Sequence, residues 1–367
     1  MRLEVERRAR VHPLASLLSP VAALAVALLL GALIFATLGK SPGRALYVYF
    51  IEPLTDPWTL HEIAVKAAPL ILIAAGLCVC FRSNNWNIGA EGQFVAGAIA
   101  AGALPVLVPG VEGGWLLPVM LILGMLGGAA WAAVPAILKN RFGASEILVS
   151  LMLVYVAELL LDWLVRGPWR DPQGFNFPET KSFPAGSVLP EIVSQGAWGG
   201  RANWGFVIAV LAALGTWYLV QRTLKGFEIT VTGASPRAAR FAGFDARRTT
   251  LFAFLFSGAL AGLAGTIEVT GAIGKLQPTI SPGYGFIAII VAFLARLNPA
   301  GAILAGLVLA LSHIGGEAAQ LSLGVSERIA RVFQGILLFC VLGADALTQF
   351  RVRLVRSVPR PGAGANA

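Results

Sequence analysis

The chain has 367 residues, of which 57% are hydrophobic and only 13% charged, and its mean hydropathy is +0.75. That composition excludes a water-soluble domain and points to an integral membrane protein. The formal charge of +9 would suit nucleic-acid binding in a soluble chain, but here its placement is what informs, and no nucleic-acid partner is expected.

The first ten residues, MRLEVERRAR, are basic and lead into an apolar run with no small-residue cleavage site, which predicts an uncleaved first helix behind a cytoplasmic arm at 1–15. One helical crossing of a bilayer needs roughly 20 mostly apolar residues. Ten runs qualify, near 16–39, 62–81, 93–110, 116–138, 147–165, 203–221, 249–270, 284–297, 300–316 and 329–346, and none alternates as a barrel strand would. The expected fold class is therefore an all-α polytopic membrane protein. It is a bundle of about ten transmembrane helices over 16–346, followed by a cytoplasmic tail at 347–367. The third and eighth runs are short enough to be tilted, re-entrant or broken. With the N-terminus inside, the inner segments collect 18 of the 28 Lys and Arg, which predicts both termini cytoplasmic and an even number of crossings.

Between the second and third runs stands NNWNIGAEGQ, Asn84 to Gln93. Gly89 and Gly92 permit irregular backbone, and the amides of Asn84, Asn85, Asn87 and Gln93 can satisfy the groups that an unwound helix frees. Two readings stay open. In one, these residues with Trp86 and Glu91 line a translocation pathway or gate for a neutral, hydroxyl-rich or amide-like solute, with Trp86 or Phe94 available to stack on a base. In the other, they form a tight cytoplasmic turn, with Glu91 unpaired or paired with Arg82.

Farther along, Gly124/Gly128, Gly258/Gly262 and Ala261/Gly265 recur at a four-residue spacing that lets helices approach closely. Cys78, Cys80 and Cys340 all lie in apolar runs, so packing is expected rather than a disulfide or a metal site. Ser145 and Glu146 open the fifth run, where a cap and a carboxylate suit the positive helix end. In the same run Glu158, Asp162 and Arg166 sit a turn apart, so an ion-pair ladder is expected, and the other reading makes Glu158 a proton site. His313 and Glu317 share that spacing near an outer helix end, with Arg328 and Arg331 following; solvated helix ends and contact with an outside partner are both open. A large outside loop near 166–202 is rich in Pro, Gly and Trp, which predicts order by turns. The N-terminal arm and the tail from Val358 are expected to be disordered.

The longest inner segment, about 222–249, contains TGASPRAARFAG, Thr232 to Gly243. Ser235 suits an N-cap, Pro236 the first helical position and Gly243 the residue past the end, which predicts a two-turn helix from Pro236 to Ala242. A helix that short needs something to pack against. Ala238, Ala239, Phe241 and Ala242 offer an apolar face beside Arg237 and Arg240. A docking element for a motor subunit and a basic loop on anionic lipid both fit.

NIGAEGQ (Asn87–Gln93), GASEILVSLML (Gly143–Leu153) and TGASPRAARFAG, in this order and spacing, resemble the permease subunits of bacterial ABC importers in the branched-chain amino acid and simple-sugar permease superfamily. The similarity runs from about residue 60 to 345 and is greatest to the nucleoside branch, which works with lipoproteins of the basic-membrane-protein type. The resemblance implies an ATPase-coupling role for Gly233, Ser235, Pro236, Ala238, Ala239, Arg240 and Gly243, with Ser145 and Glu146 as secondary candidates. It implies no enzyme activity and no cofactor in this chain, with ATP and Mg on a partner ATPase. A sister permease in a heterodimer, an extracytoplasmic solute-binding lipoprotein and the bacterial inner membrane complete what it implies. Gly39-Lys40-Ser41 is not a phosphate-binding loop, since that motif's first glycine would fall at Ile34. The alternatives are a permease for a simple sugar or other small polar solute, and an ion-coupled secondary transporter using Glu158.

Overall fold

A computed structural model describes residues 2–7, 13–108, 110, 112–192, 200–326 and 328–355. The helices are α1 (Pro13–Thr37), α2 (Pro42–Phe50), α3 (Glu52–Thr55), α4 (Pro57–Arg82), α5 (Ala90–Leu107), α6 (Leu116–Phe142) and α7 (Glu146–Arg166). They continue as α8 (Trp204–Arg222), α9 (Leu224–Ala234), α10 (Pro236–Phe241), α11 (Ala246–Ile267), α12 (Tyr284–Leu294), α13 (Gly301–Leu323) and α14 (Arg328–Gln349). A helix stands at each of the ten apolar runs. Among the described residues, seven helices are long and apolar enough to cross a membrane.

The chain divides into two compact units, residues 46–330 and the terminal segments 1–45 with 331–367. The fold is helical as expected; in the terminal unit a short two-stranded antiparallel ribbon pairs Arg2–Arg7 (β1) with Phe350–Val355 (β2), which corrects the disorder expected of the arm. RLEVER and FRVRLV alternate with period two, and the register sets Glu4 opposite Arg353 and Glu6 opposite Arg351, so opposite charges meet across the strands. The tail from Val358 lies outside the described residues.

In the larger unit α4 is the central post. Asp56 caps it, accepting from the N–H of Thr59 (3.2 Å), and 89% of its apolar window is buried, as expected of a helix that is hydrophobic all round. The corresponding share for α6, α7 and α8 is 28%, which places them at the periphery. The small-residue pairs act as predicted. A Cβ on Gly128 would collide with Gly258 O, one on Gly262 with Gly124 O, and one on Gly97 with the Gly262 backbone, so α5, α6 and α11 meet backbone to backbone.

α11 passes into a π-helical turn, Glu268–Ile273, which Gly274 ends in the left-handed conformation at φ 77°. The connector to α12 is pinned from the long loop after α7 by Thr180 N–H to Leu276 O (3.0 Å), Phe183 N–H to Gly274 O (2.8 Å) and a Lys275–Glu179 ion pair (2.6 Å). The loop after α7 is thus ordered by turns and backbone bonds, although residues 193–199, including Trp198, lie outside the described residues. α12 is only 11 residues long, about 16 Å at 1.5 Å per residue and roughly half a bilayer core. The eighth run, flagged as short, is a half-length helix; the third, α5, is an 18-residue helix.

Candidate functional site

α4 ends at Arg82 and α5 begins at Ala90, so residues 83–89 are unwound. Asn84 makes the turn in the left-handed region, φ 56°, which asparagine tolerates, and is exposed. From there the chain dives inward: Asn85, Asn87, Glu91 and Gln93 are each no more than 2% exposed.

The amides are spent on protein. Asn87 Nδ2 donates to Gln93 Oε1 (2.9 Å) and Ser257 Oγ (3.1 Å), while Asn87 Oδ1 accepts from Gln93 Nε2 (2.9 Å) and from Gly89 N–H (3.2 Å). Asn85 Nδ2 donates to Ser83 Oγ (2.7 Å), and Asn85 Oδ1 accepts from Lys139 Nζ (2.9 Å). Lys139 also pairs with Glu146 (2.5 Å), which accepts from the Trp86 N–H (3.5 Å). Buried polar groups must find partners, and this knot satisfies an unwound segment from within, tying it to α6, α7 and α11. Its amides face protein, not open space. Trp86, 39% exposed, packs on Phe81 (5.3 Å) and Phe293 (6.2 Å), and Phe94 is fully buried beside Tyr284 (5.8 Å).

Glu91 departs from the rest. Its Oε2 accepts from the N–H of Gly285, the second residue of α12, at 2.5 Å. Pairing with Arg82 does not occur, since Arg82 Nε donates to Leu297 O (2.8 Å). A half-length helix leaves its first N–H groups without partners, and a carboxylate there satisfies one and suits the positive helix end. Ser281 Oγ completes the cap, accepting from the N–H groups of Gly283 and Tyr284 (both 3.0 Å).

Glu91 also borders a cavity of about 440 Å³ between α5, α7 and residues 278–281. Tyr155, Glu158 and Asp162 line the opposite wall along one face of α7. Of the expected ladder only one rung forms, Arg166 Nε to Asp162 Oδ1 at 2.7 Å. Among the described residues no donor or cation engages the exposed Glu158, which sits in the middle of an apolar helix. His313 and Glu317 approach to 3.5 Å.

The segment at 222–249 is more regular than expected. Its first part is α9, capped by Thr223, whose Oγ1 accepts from the Gly226 N–H (3.3 Å). Ser235 then caps α10, its Oγ accepting from the Ala238 N–H (3.4 Å), Pro236 takes the first position, and Gly243 follows at φ 82°. Asp245 caps α11 through the Arg247 N–H (2.9 Å). A Cβ on Gly233 would strike Arg82 O, so the end of α9 rests directly on the end of α4. Ala239 is fully buried and anchors α10; Ala238 and Arg240 point outward, and Phe241 is 93% exposed. Ser145 caps α7, accepting from the Leu148 N–H (3.5 Å).

A family model described as the branched-chain amino acid transport system / permease component matches residues 59–342. The chain belongs to this permease family. It is 34% identical to the glucose ABC transporter permease protein of Haloferax volcanii over 91% of this chain and 89% of that one. It is 28% identical to the guanosine ABC transporter permease protein of Bacillus subtilis, over 92% and 96% of the two chains. The nucleoside ABC transporter permease protein of Lactococcus lactis is 27% identical, over 88% and 90%. The permease is thus a transport component, and its apolar helices place it in a membrane.

Sequence reasoning passed over several residues of this permease. Tyr155, Thr279 and Ser281 join the cavity only through the fold, although Ser281-Pro-Gly-Tyr at the start of an apolar run carried a capping signal. Glu268, 4% exposed in the π-helical turn, accepts from Tyr284 OH (3.4 Å) and was visible as the lone carboxylate in the run 249–270.

Proposed function

We propose that this permease is one membrane subunit of an ATP-binding-cassette importer that carries a nucleoside inward. The observation that carries the reading is α10. Its apolar and basic side chains stand outward, while its base is anchored by Ala239 and, through α9 and Gly233, by the end of α4. A partner ATPase holding ATP and Mg grips Phe241, Arg237 and Arg240. Closure of the motor displaces α10, α9 passes the displacement to Arg82, and the unwound segment 83–89 shifts with it, changing access to the cavity.

The two nucleoside and guanosine permeases among its relatives support the cargo; the glucose permease supports the sugar alternative with the same machinery. Ten crossings with both termini cytoplasmic, a bacterial inner membrane, a sister permease in a heterodimer and an extracytoplasmic binding lipoprotein complete the proposed assembly. The exposed face of α7 is where the sister chain closes the pathway. The ion-coupled alternative would leave α10 without a task.

The test is ATP-dependent nucleoside uptake by proteoliposomes holding this chain with its candidate ATPase, sister permease and binding lipoprotein. Phe241→Ala and Arg240→Glu are expected to lower uptake at least tenfold without moving the melting temperature. Ala239→Glu is unsuitable, because a buried charge would unfold the loop. Uptake driven by an ion gradient and indifferent to both variants would overturn the proposal.

A further inference from the structure

The cavity beside Glu91 is of small-molecule size, within the roughly 300–1,000 Å³ of known sites. Its polar groups are unevenly committed. Ser281 is occupied by the α12 cap and Glu91 by Gly285, and Asp162 is held by Arg166. Glu158 is different: it is exposed and among the described residues nothing donates to its carboxylate, on a helix whose neighbouring surface, Val156 (49% exposed) and Leu159 (69% exposed), is apolar. An ionisable group on such a helix is costly and is kept where it meets a cavity or a solute.

An ionised carboxylate only accepts hydrogen bonds, and its two oxygens sit side by side. A vicinal diol presents two donors at matching separation, so one carboxylate can accept from both hydroxyls. Resting on the importer reading above, we propose that this cavity is a transit site for the solute and that Glu158 accepts its two adjacent hydroxyls. The chemical class is a neutral vicinal diol, the feature common to a ribonucleoside and a hexose.

The experiment compares uptake of adenosine with that of 2′-deoxyadenosine, and of methyl glucoside with its 3-deoxy analogue, which has no two adjacent hydroxyls, in proteoliposomes of the complete complex. The wild type and Glu158→Gln are measured with the same binding lipoprotein, so any change in the ratio of diol to deoxy uptake belongs to this chain. Loss of a bidentate, charge-assisted contact is expected to reduce diol uptake about tenfold and leave deoxy uptake unchanged. Glu158→Asp, which keeps the charge, is expected to restore part of the preference, and it carries the test if Glu158→Gln does not assemble. Active uptake with an unchanged ratio in the Glu158 variants would overturn the transit site while leaving the importer reading intact. ATP-driven uptake confined to cationic solutes, lost in Glu158→Gln, would replace the diol by a cation. Absence of ATP-dependent uptake of either diol in the wild type would remove the importer reading and this site with it.

Discussion

The unwound segment at 83–93 and the short helix α10 both interrupt a bundle of long helices, yet they treat their side chains in opposite ways. In the first, the amides of Asn85, Asn87 and Gln93 are buried and bonded to one another, to Ser257 and to Lys139. In the second, Arg240 and Phe241 are left outside with only Ala239 tucked in. Polar character inside a membrane protein therefore does not by itself mark where a ligand goes. On the readings proposed above, what marks it is a group whose bonding capacity the fold leaves unspent, as at α10 and at Glu158, while a fully satisfied group serves as scaffold.

The scaffold side of this comparison should break hardest at Gly262. Any side chain there meets the backbone of α6, and neither neighbour can withdraw, since Gly97 presses from α5. Gly262→Leu is expected to cost about 3 kcal/mol or more and to abolish recovery of folded protein, read as loss of a monodisperse peak in detergent. Next comes the knot. Asn87→Ala strips partners from Gln93, Ser257 and the Gly89 N–H together, an expected loss of about 2 kcal/mol by thermal melting. Adding Gln93→Ala should cost much less than it does alone, because its partner is already gone; strictly additive losses would show that the two amides do not share a bond. Lys139→Ala ranks third. The ion pair is partly exposed, so a loss of about 1 kcal/mol is expected, with a larger fall in ATP-driven uptake, since Glu146 and Asn85 lose the link that joins α6, α7 and the unwound segment.

Much of this fold was legible because its causes are local. The ten apolar runs, the Gly124/Gly128 and Gly258/Gly262 pairs, the Ser235 cap and the Gly243 turn each follow from residue type and spacing. α9 was not, since Leu224–Ala234 carries two glycines and three residues of low helix propensity, Thr230, Val231 and Thr232, and its helix rests on packing against α4 and α8. The polar stretch at 84–93 was legible as an unwound segment, but not the destination of its amides, because Ser257 and Lys139 are distant in sequence. Glu91 illustrates the same limit. Its partner, Gly285, has no side chain to announce it, and lies 194 positions along the chain.

The smallest effect is expected at Asp162, and it is the sharpest check on the distinction between spent and unspent groups. Its bond to Arg166 spans one exposed helical turn, with side chains 39% and 59% exposed, and such pairs contribute about 0.3–0.5 kcal/mol. Glu158 stands one turn before it, and two carboxylates at that spacing repel by a similar amount. Asp162→Asn removes both interactions at once, so the melting temperature should stay within about one degree, and uptake should change less than twofold because Arg166 remains in solvent. The same substitution made at Glu158 leaves stability equally untouched, yet is expected to lower uptake tenfold. Should the two variants behave alike in transport, the open carboxylate has no task that the paired one lacks, and bonding state would cease to separate pathway from scaffold on this helix.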